Sequence, residues 1–517
     1  MRQLLLRRRL LIPALAFLVL AAAVGLWLWN EKRPKRVRRE HADTVAKEYE
    51  FLTERIVAKH PWATHWLTRK EAEQDLDQLE WYLERRYSYL KMKGVDYRAA
   101  LDTIRSSLGD GIPTGALALQ IHKFLMLFGD GHTVVRSLRD CFIPVGYAPF
   151  LVTESAGRLV AFKVDRSAFL DADHHYLESM DGIPVERWLE AARETVARGS
   201  PQYVRQRSVR NLRYVQYLRR ELGLKESDAV QVELASEDEK SRRTLELKLA
   251  IKFPRYGIGA ARASEVLPGN VGYLRMPAIM YHTAEFQADL MAIMDRLKET
   301  RALIIDVREN GGGSRAPLLT LFPFFAGPDD PPRIANVAAY RLHEGDRRDK
   351  KEGYLEDRYV FPLTSRRWSG AERAVLESFA KTFRPEWSPP EDEFSAWHYL
   401  VLGRSEDTRY YHYDRPVIIL MSTTNYSACD IFLGAFKGWK NVTLMGTPSG
   451  GGSGRYRTYR LHNSLIAVNL SSMASFRPNG KLYDGNGIQP DIIAEPIATD
   501  FIGETDPVLD AALERLR

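Results

Sequence analysis

The C-terminal half of the sequence predicts an α/β fold, because strand patterns alternate with helical patterns there. Residues 272–276 have the composition of a strand, and the apolar periodicity of an amphipathic helix follows over 286–297. Residues 302–307 form a continuous apolar run, as expected of a strand buried on both faces of a parallel sheet. The alternation resumes with apolar strands at 417–421 and 442–445. We therefore expect an α/β core.

Changes in local pattern divide the rest of the chain into regions. Helical periodicity dominates 41–141, and short strands and turns around a helical stretch dominate 142–255. The α/β core is expected over 265–500. Within it, residues 325–412 are rich in Pro, Arg, Asp and Trp and break the alternation, which predicts an insertion on the core. Residues 501–517 are expected to form a C-terminal tail.

Composition and charge exclude several classes of protein. The chain has 517 residues, of which 45% are hydrophobic and 27% charged, typical of a folded protein. Its two cysteines, Cys141 and Cys429, exclude a disulfide-stapled scaffold and a multi-cysteine metal site. The first 40 residues hold ten Lys and Arg against two Glu, so the other 477 residues carry −1 of the net charge of +7. Because nucleic-acid binders carry their cations on the folded surface, we expect no nucleic-acid partner.

The N-terminal region predicts an attachment to a membrane. Residues 10–29 contain no charged side chain and would span about 30 Å as a helix, the hydrocarbon thickness of a bilayer. Small residues at 21–23 offer the alternative of a cleaved signal peptide and secretion. The apolar run continues past them to Trp27 and Trp29, which favours an uncleaved anchor. We expect one span within 1–40 and export of the remainder, in a bacterium to the periplasm.

Ser427 is the first candidate for chemistry. It follows the predicted strand 417–421 and precedes an apolar helical pattern that starts at Ala428. A hydroxyl at such a junction lies near exposed backbone N–H groups and the positive end of the helix dipole, and both favour a nucleophile. The alternative is an N-cap serine, which is the commoner use of serine before a helix.

A second candidate is the segment 306–313, in which a buried strand runs into three glycines. Glycines let the backbone turn sharply and approach a ligand closely, so its N–H groups could line an oxyanion hole. The alternatives are a flexible turn or a phosphate-binding loop. The second alternative is weak, because no Lys-Ser or Lys-Thr pair follows the glycines.

His132 and Asp484 are the remaining candidates. His132 lies in a glycine-flanked turn, 129–133, after an apolar helical pattern. A serine nucleophile needs a general base at neutral pH, and histidine is the usual one. The alternative is an ordinary surface or core histidine. Asp484 lies in the glycine-rich segment 483–491, where a carboxylate would orient the histidine, and the alternative is a plain hairpin turn.

Taken together, five segments resemble the C-terminal processing peptidase family, the tail-specific proteases, and in particular its tricorn-core-like branch. The resemblance extends from Gly129 to Asp491, well over half the chain. The segments are GDGHT (129–133), DVRENGGG (306–313), NYSACDIF (425–432), GTPSGGGSGR (446–455) and MASFRPNGKLYDGNGIQPD (473–491).

The resemblance implies a serine peptidase with a ClpP/crotonase-like α/β core that acts on peptides or proteins without a metal or organic cofactor. It implies that 142–255 is an inserted PDZ-like domain that engages peptide ends. The stretch 177–188 (LESMDGIPVERW) would be the carboxylate-side part of that domain.

The resemblance also assigns roles within the site. Ser427 would be the nucleophile. The oxyanion hole would combine the N–H of Ala428 with that of Gly311 or Gly312.

Two branches of the family differ in the general base. One uses a lysine in a Gly-Lys-Gly context, but here residues 450–454 read GGGSG without a lysine. Lys437 or Lys440 would have to reach back from the helix that follows Ser427. His132 is therefore expected to be the base, as in the tricorn-like branch.

The chain departs from that branch behind the histidine. The branch has a serine before the histidine, where this chain has Gly131, and a glutamate where Asp484 aligns. Asp484 is the expected relay residue, with Thr133 or Asp130 as substitutes.

Two other functions stay open from the sequence. One is a catalytically inactive, membrane-tethered peptide-binding protein. The other is a serine hydrolase of esters or small amides, because the core chemistry does not fix the leaving group. The oligomeric state is not predicted.

Overall fold

The computed structural model describes residues 62–136, 138–142, 145–256, 262–277, 284–343 and 352–517. The predicted membrane segment 10–29 lies outside them. Trp66–Arg517 form one compact unit, and Met1–His65 form another, of which a 3-10 helix at Trp62–Thr64 is described. Within the described ranges, no helix combines the length and apolar character needed to cross a bilayer.

The first region of the large unit is helical, with most of its last helix buried. The N-cap Thr68 accepts a hydrogen bond from the Glu71 N–H at 3.3 Å, and the Glu71 carboxylate accepts from the Thr68 N–H at 2.8 Å. This reciprocal capping fixes where the first helix begins. The elements are β1 (Trp66–Thr68), α1 (Arg69–Arg86), α2 (Tyr97–Ser106), β2 (Gly111–Pro113), α3 (Thr114–Met126) and β3 (Val134–Val135).

The second region forms an antiparallel sheet with helices packed on it. Trp188 is fully buried at its centre and donates its indole N–H to the Met180 carbonyl at 3.0 Å. The strand order is β4-β5-β6-β8-β9, and β7 pairs with β6. The elements are β4 (Phe150–Ser155), β5 (Arg158–Lys163), β6 (Tyr176–Met180), β7 (Ile183–Pro184), α4 (Val185–Arg193), α5 (Pro201–Asn211), α6 (Val215–Glu221), β8 (Ala229–Ala235) and β9 (Arg242–Lys248).

The third region is built on a six-stranded sheet of order β10-β11-β12-β16-β17-β21, parallel from β11 onward. The elements are β10 (Glu265–Leu267), β11 (Val271–Arg275), α7 (Ala284–Arg296), β12 (Ala302–Asp306), α8 (Ala316–Leu321), β13 (Arg333–Tyr340), β14 (Phe361–Pro362), α9 (Gly370–Thr382), β15 (His398–Leu402), β16 (Val417–Met421), α10 (Ala428–Phe436), β17 (Val442–Gly446), β18 (Tyr456–Arg460), β19 (Ala467–Ser471), β20 (Met473–Phe476), β21 (Ile492–Ile493) and α11 (Pro507–Arg515).

Helices cover both faces of this sheet, and the prediction of a mixed α/β fold is confirmed. Ile305 and Ile419 pack with helices α7, α8 and α10 on one face. Ile304 and Ile418 pack on the other face with α11. All residues of β12 and β16 are buried, which explains their continuous apolar character.

The prediction of a C-terminal tail at 501–517 is wrong. Residues 507–515 form helix α11, whose Val508, Leu509 and Ala512 are buried against the sheet. Asp506 caps the helix by accepting a hydrogen bond from the Leu509 N–H at 3.0 Å. An apolar stripe at helical spacing behind an N-cap aspartate and Pro507 was the signal for this helix.

The stretch 325–412 forms a second sheet. Strands β14, β15 and β13 from this stretch join β20 in an antiparallel sheet of order β14-β15-β13-β20. Because β20 lies at Met473–Phe476, beyond this stretch, the added sheet is bonded directly to the core.

Removing a core side chain from the central sheet should destabilise the protein much more than the same change at its edge. Ile419→Ala is expected to lower the free energy of unfolding by about 2–5 kcal/mol, because it leaves a cavity at a fully buried position. Ile493→Ala, in β21 and 73% exposed, is expected to cost less than about 0.5 kcal/mol. Urea denaturation would measure both, and equal losses would contradict the core assignment.

Candidate active site

The site lies where two parallel neighbouring strands end. Asp306 of β12 pairs with Leu420 of β16, so the loops that follow both strands leave the same edge of the sheet. The carboxyl ends of such strands are the usual place for ligands in open α/β sheets. The Asn425 side chain joins the two loops by donating to the carbonyls of Val307 and Asn310.

Ser427 occupies the turn between β16 and α10 in an unusual backbone conformation. Its φ is +61° and its ψ −118°, outside the regions that residues with a side chain normally adopt. Such a conformation costs about 1–3 kcal/mol and persists where the surroundings impose it. The turn presents the Ser427 hydroxyl at the first turn of α10, beside N–H groups that the helix leaves unbonded.

His132 is brought to this hydroxyl from a distant part of the chain. Its Nε2 lies 2.9 Å from Ser427 Oγ. Strand β3 pairs with β19, and the Ser471 N–H donates to Thr133 Oγ1 at 3.2 Å, so the residues that follow His132 are held against β19. The His132 ring also stacks on Tyr426, with centroids 5.1 Å apart.

Two tyrosines explain why Gly131 precedes the histidine. A Cβ at Gly131 would lie 2.5 Å from the hydroxyls of both Tyr203 and Tyr426. These rings stack on each other with centroids 5.0 Å apart. The tyrosines therefore fill the space that a serine before the histidine would need.

Asp130 is the carboxylate nearest to the other ring nitrogen of His132. Its Oδ1 lies 3.8 Å from His132 Nδ1, and the same nitrogen accepts a hydrogen bond from the Gly454 N–H at 3.4 Å. Asp130 is fully buried and accepts hydrogen bonds from the His132 N–H at 2.9 Å and from Thr133 Oγ1 at 2.7 Å. Asp130 and Thr133, the predicted substitutes for the relay, thus both belong to the histidine turn.

Burial keeps His132 in its neutral form. The pKa of His132 is lowered to about 4, mainly by loss of solvation; Asp130 opposes this shift, and the charges of Arg358 and Arg207 contribute to it. A neutral imidazole is the form that accepts a proton. Nε2 is that acceptor only in the tautomer in which Nδ1 carries the ring proton, and this tautomer excludes the hydrogen bond from the Gly454 N–H to Nδ1.

Asp484 is paired with a lysine rather than with the histidine. Its Oδ2 lies 2.6 Å from Lys93 Nζ, and its buried Oδ1 has no hydrogen-bond partner among the described residues. Burial raises the pKa of Asp484 to about 7, with Lys93 opposing and the nearby Asp130 adding to the shift. No hydrogen bond joins Asp484 to His132 within the described residues, and its predicted relay role stays a prediction.

The backbone N–H groups that were predicted to bind the oxyanion differ in whether they already have a hydrogen-bond acceptor. The Gly312 N–H already donates to Asn310 Oδ1 at 2.9 Å. Among the described residues, the N–H groups of Gly311 and Ala428 have no acceptor. Gly312 instead allows the glycine loop to approach the backbone beside Ser427 closely, because a Cβ at this position would lie 2.4 Å from the Tyr426 carbonyl oxygen.

Alternative nucleophiles and bases lie in unsuitable surroundings. Lys437 is bound to Asp491, and Lys440 lies 2.8 Å from Asp330. Cys429 is buried within α10, where burial, followed by the charge of Asp430, raises the pKa of its thiol well above the usual value. A thiolate is therefore disfavoured beside Ser427.

Comparison with known proteins agrees with this site. The profile of peptidase family S41 matches residues 270–494, which include the glycine loop, Ser427 and Asp484. This part of the chain is therefore similar to peptidase family S41, and the similarity indicates a serine-type peptidase. The predicted resemblance to the tail-specific proteases is confirmed.

A relative and two solved structures are similar to this chain. A carboxy-terminal-processing protease of Bartonella bacilliformis (strain ATCC 35685 / KC583 / Herrer 020/F12,63) is 31% identical over 91 residues, covering 17% of this chain. That match spans about a fifth, 21%, of the relative's length. Mature CPAF complexed with lactacystin has a TM-score of 0.61 at 18% identity, covering 87% of this chain and 97% of that chain. Mature CPAF alone gives 0.60 at 18% identity, covering 84% and 94%. These structures show a shared fold.

One buried residue beside the site was not predicted from the sequence. Asp430 is fully buried in the first turn of α10 and accepts hydrogen bonds from Ser449 Oγ at 2.5 Å, from Gly451 N–H at 3.2 Å and from Gly452 N–H at 3.1 Å. It holds the glycine-rich loop that places Gly454 against His132. An acidic residue within an otherwise apolar helix, three positions after Ser427, was the available signal.

The two neighbouring glycines should respond differently to alanine. Gly312→Ala is expected to slow fluorophosphonate labelling of Ser427 at least about 100-fold, because a Cβ at φ +100° collides with the Tyr426 carbonyl beside the nucleophile. Gly311→Ala keeps its N–H and has open space for a Cβ, so its rate should stay within about twofold of the parent. Intact-mass kinetics would show the difference, and equal loss in both variants would contradict this geometry.

The pH dependence of labelling should follow the neutral fraction of His132. Because the pKa of His132 is lowered to about 4, the base is neutral above that pH and becomes protonated as the pH falls through it. The labelling rate should therefore be level from pH 8 to about 5 and halve near pH 4. Circular dichroism would verify that the protein stays folded, and a midpoint near 6.5 would contradict the buried environment.

Proposed function

We propose that this chain is a peptidase that cleaves peptide bonds through an acyl-enzyme on Ser427, with His132 as general base. The observation that supports it most is the 2.9 Å contact between His132 Nε2 and Ser427 Oγ at a strand-to-helix turn. An N-cap serine would instead bond the N–H groups of its own helix, and Ser427 makes no such capping bond.

The reaction proceeds in two halves. His132 accepts the Ser427 proton as Oγ attacks the scissile carbonyl, and the N–H groups of Ala428 and Gly311 bind the oxyanion. His132 then gives its proton to the leaving amine. In the second half, His132 activates a water that hydrolyses the acyl-enzyme and releases Ser427.

Asp130 is the residue that orients the histidine in this proposal. For His132 Nε2 to accept a proton, Nδ1 must carry one and needs an acceptor. In the structure Nδ1 accepts the Gly454 N–H, and Asp130 Oδ1 lies 3.8 Å away. We propose that the imidazole rotates in the reactive state, which breaks the bond from Gly454 and lets Nδ1 donate to Asp130. Asp484 then acts behind Asp130, as the partner of Lys93.

The region 142–255 engages peptide ends in the proposed function. Its strand β4 is first in the order of the second sheet, and helix α5 packs along it. The cavity between them, lined by Phe150, Leu151 and Val209 among others, has room for about one water molecule. The support for this part of the proposal is the strand itself, because an edge strand beside a helix suits the addition of an extended peptide end, as in PDZ-type recognition.

Residues 10–29 anchor the protein in a membrane and the rest of the chain is exported, in a bacterium to the periplasm. This part of the proposal is supported by the uncharged run of 20 residues alone. Retention of the full chain in carbonate-washed membranes, with release when 1–40 are deleted, is the expected result. Release of the full chain by carbonate would overturn it.

The first experiment is fluorophosphonate labelling of the full chain, read by intact mass, together with cleavage of a quenched peptide library. A single adduct is expected, absent in Ser427→Ala and at least about 100-fold slower in His132→Ala. Cys429→Ala is the control and should label like the parent. No adduct on folded protein would favour the inactive peptide-binding protein, and ester cleavage without peptide cleavage would favour the small-substrate hydrolase.

Two aspartate variants separate the candidates for the orienting carboxylate. Asp130→Asn is expected to lower kcat at least about 100-fold, because the wrong imidazole tautomer is then favoured. The pH at which this variant loses half of its activity on acidification should also fall below 4, since Asp130 raises the pKa of His132. Asp484→Asn should lower kcat less than about tenfold and leave the pH of half-maximal activity unchanged. Kinetics from pH 3.5 to 8 would test this, and the opposite ranking would assign the role to Asp484.

A further inference from the structure

One segment of the stretch 325–412 reaches the glycine loop beside Ser427. It is a 3-10 helix, Glu352–Arg358, between strands β13 and β14. Arg358 Nη1 donates a hydrogen bond to the Gly313 carbonyl at 3.3 Å. A Cβ at the preceding glycine, Gly312, would lie 2.8 Å from the Cβ of Ser427, so the loop that Arg358 bonds is packed against the nucleophile. This helix therefore forms part of the wall around the reactive serine.

Three contacts fix the position of this helix. Leu355 is fully buried among the apolar side chains of the core. Arg315 Nη1 donates to the backbone carbonyl of Arg358 at 3.1 Å. Arg455 Nε donates to Asp357 Oδ2 at 2.9 Å. The backbone that carries the Arg358 side chain is thus held on both sides by buried groups of the core.

Arg315, Arg358 and Arg455 form a group of positive charges, which we call the arginine cluster. Arg315 donates to an amide oxygen, a hydroxyl and a backbone carbonyl, none of which carries a charge. Arg455 bonds Asp357. Within the described residues, Arg358 has no bond to a carboxylate, and its buried Nε has no partner. Positive charge therefore exceeds negative charge in the arginine cluster.

The guanidinium groups of the arginine cluster repel one another. Loss of solvation, followed by the charge of Arg358, lowers the pKa of Arg315 to about 9. Loss of solvation also lowers the pKa of Arg358; Asp357 opposes this shift, and Arg455 adds to it. A carboxylate brought to the cluster would relieve this repulsion and accept charge-assisted hydrogen bonds.

Arg358 is the member of the arginine cluster that a substrate can reach. Arg315 and Arg455 are 3% and 8% exposed, whereas Arg358 is half-buried. Arg358 is also close enough to His132 for its charge to contribute to the lowered pKa of the imidazole. Its side chain therefore lies between the buried charges of the cluster and the catalytic pair.

The position of a cleaved peptide bond determines which substrate side chains can meet Arg358. The scissile carbonyl carbon must lie at Ser427 Oγ, with its oxygen at the N–H groups of Ala428 and Gly311. Arg358 bonds the same loop at Gly313, two residues after Gly311. The side chains nearest to Arg358 are therefore those of the two residues that flank the scissile bond.

We propose that Arg358 is a specificity-determining residue that favours an acidic side chain on one of the two residues flanking the scissile bond. The substrate carboxylate accepts hydrogen bonds from the guanidinium and supplies the negative charge that the arginine cluster lacks. This assignment rests on the proposed peptidase function and names its substrate class. The stretch 325–412 thereby contributes to the choice of substrate.

The test first maps the bonds that the full chain cleaves in a peptide library, by mass spectrometry of the products. Glu and Asp are expected to be enriched at least about fivefold at one of the two positions flanking the cleaved bonds. For the best-cleaved sequence, kcat/KM is then compared between two peptides that differ only in Glu against Gln at that position. The Glu peptide is expected to react at least about tenfold faster.

Variants of Arg358 decide whether this side chain is responsible. Arg358→Gln and Arg358→Met should each bring the two kcat/KM values within about twofold of each other, mainly by loss on the Glu peptide. Arg358→Glu should instead prefer a peptide with Lys at that position. Arg404→Gln, exposed in the same stretch 325–412, is the matched control and should keep the preference for Glu. A fluorophosphonate without an acidic group should label the neutral variants within about threefold of the parent rate, which verifies that their site is folded.

The outcomes separate this inference from the peptidase proposal. Cleavage without enrichment of acidic residues, or a preference for Glu that survives in Arg358→Gln and Arg358→Met, would overturn the assignment and leave the peptidase proposal intact. Equal loss on the Glu and Gln peptides, with slower fluorophosphonate labelling, would also overturn it, because Arg358 would then act on the oxyanion of every substrate. Absence of both peptide cleavage and fluorophosphonate adduct would overturn the peptidase proposal and this assignment with it.

Discussion

The attachment of the histidine turn to the core is the constraint on which the rest of the site depends. Ser427 Oγ and His132 Nε2 belong to residues 295 positions apart, so their contact exists only when β3 pairs with β19. The bonds of Thr133 to Asp130 and to the Ser471 N–H extend this pairing to the histidine itself. A local loss of these bonds would separate base from nucleophile while leaving the parallel sheet intact.

The surroundings of His132 combine protection from water with an unequal distribution of charge. One buried carboxylate, that of Asp130, faces two guanidinium groups that act on the same ring, those of Arg207 and Arg358. Loss of solvation, more than this balance of charges, keeps the imidazole neutral. An anion beside Arg207 would neutralise part of the positive potential and make the base a stronger proton acceptor.

Local sequence patterns predicted the strand and the helix on either side of Ser427. The rest of the site depends on contacts between residues that are far apart in the sequence. The apolar runs around 302–307 and 417–421 indicated buried strands because such strands have no polar face, and Ser427 follows from where the second one ends. The pairing of Asp484 with Lys93, 391 residues earlier in the chain, leaves no trace in local spacing. The two tyrosines that fill the space beside Gly131 come from positions 203 and 426. Helix α11 was missed for another reason, because its short apolar stripe was taken for part of a tail.

Because helix α11 lies near the end of the sequence, it also determines when one face of the parallel sheet can be covered during translation. Residues 507–516 cover one face of a sheet whose central strands lie some 90 to 200 positions earlier, and Arg308 joins Asp306 to Asp506 across that interval. Until those residues have left the ribosome, the apolar side chains of Ile304, Ile418 and Leu420 lack their packing partners and form an exposed hydrophobic surface. This face of the sheet is thus covered only after helix α11 has been translated.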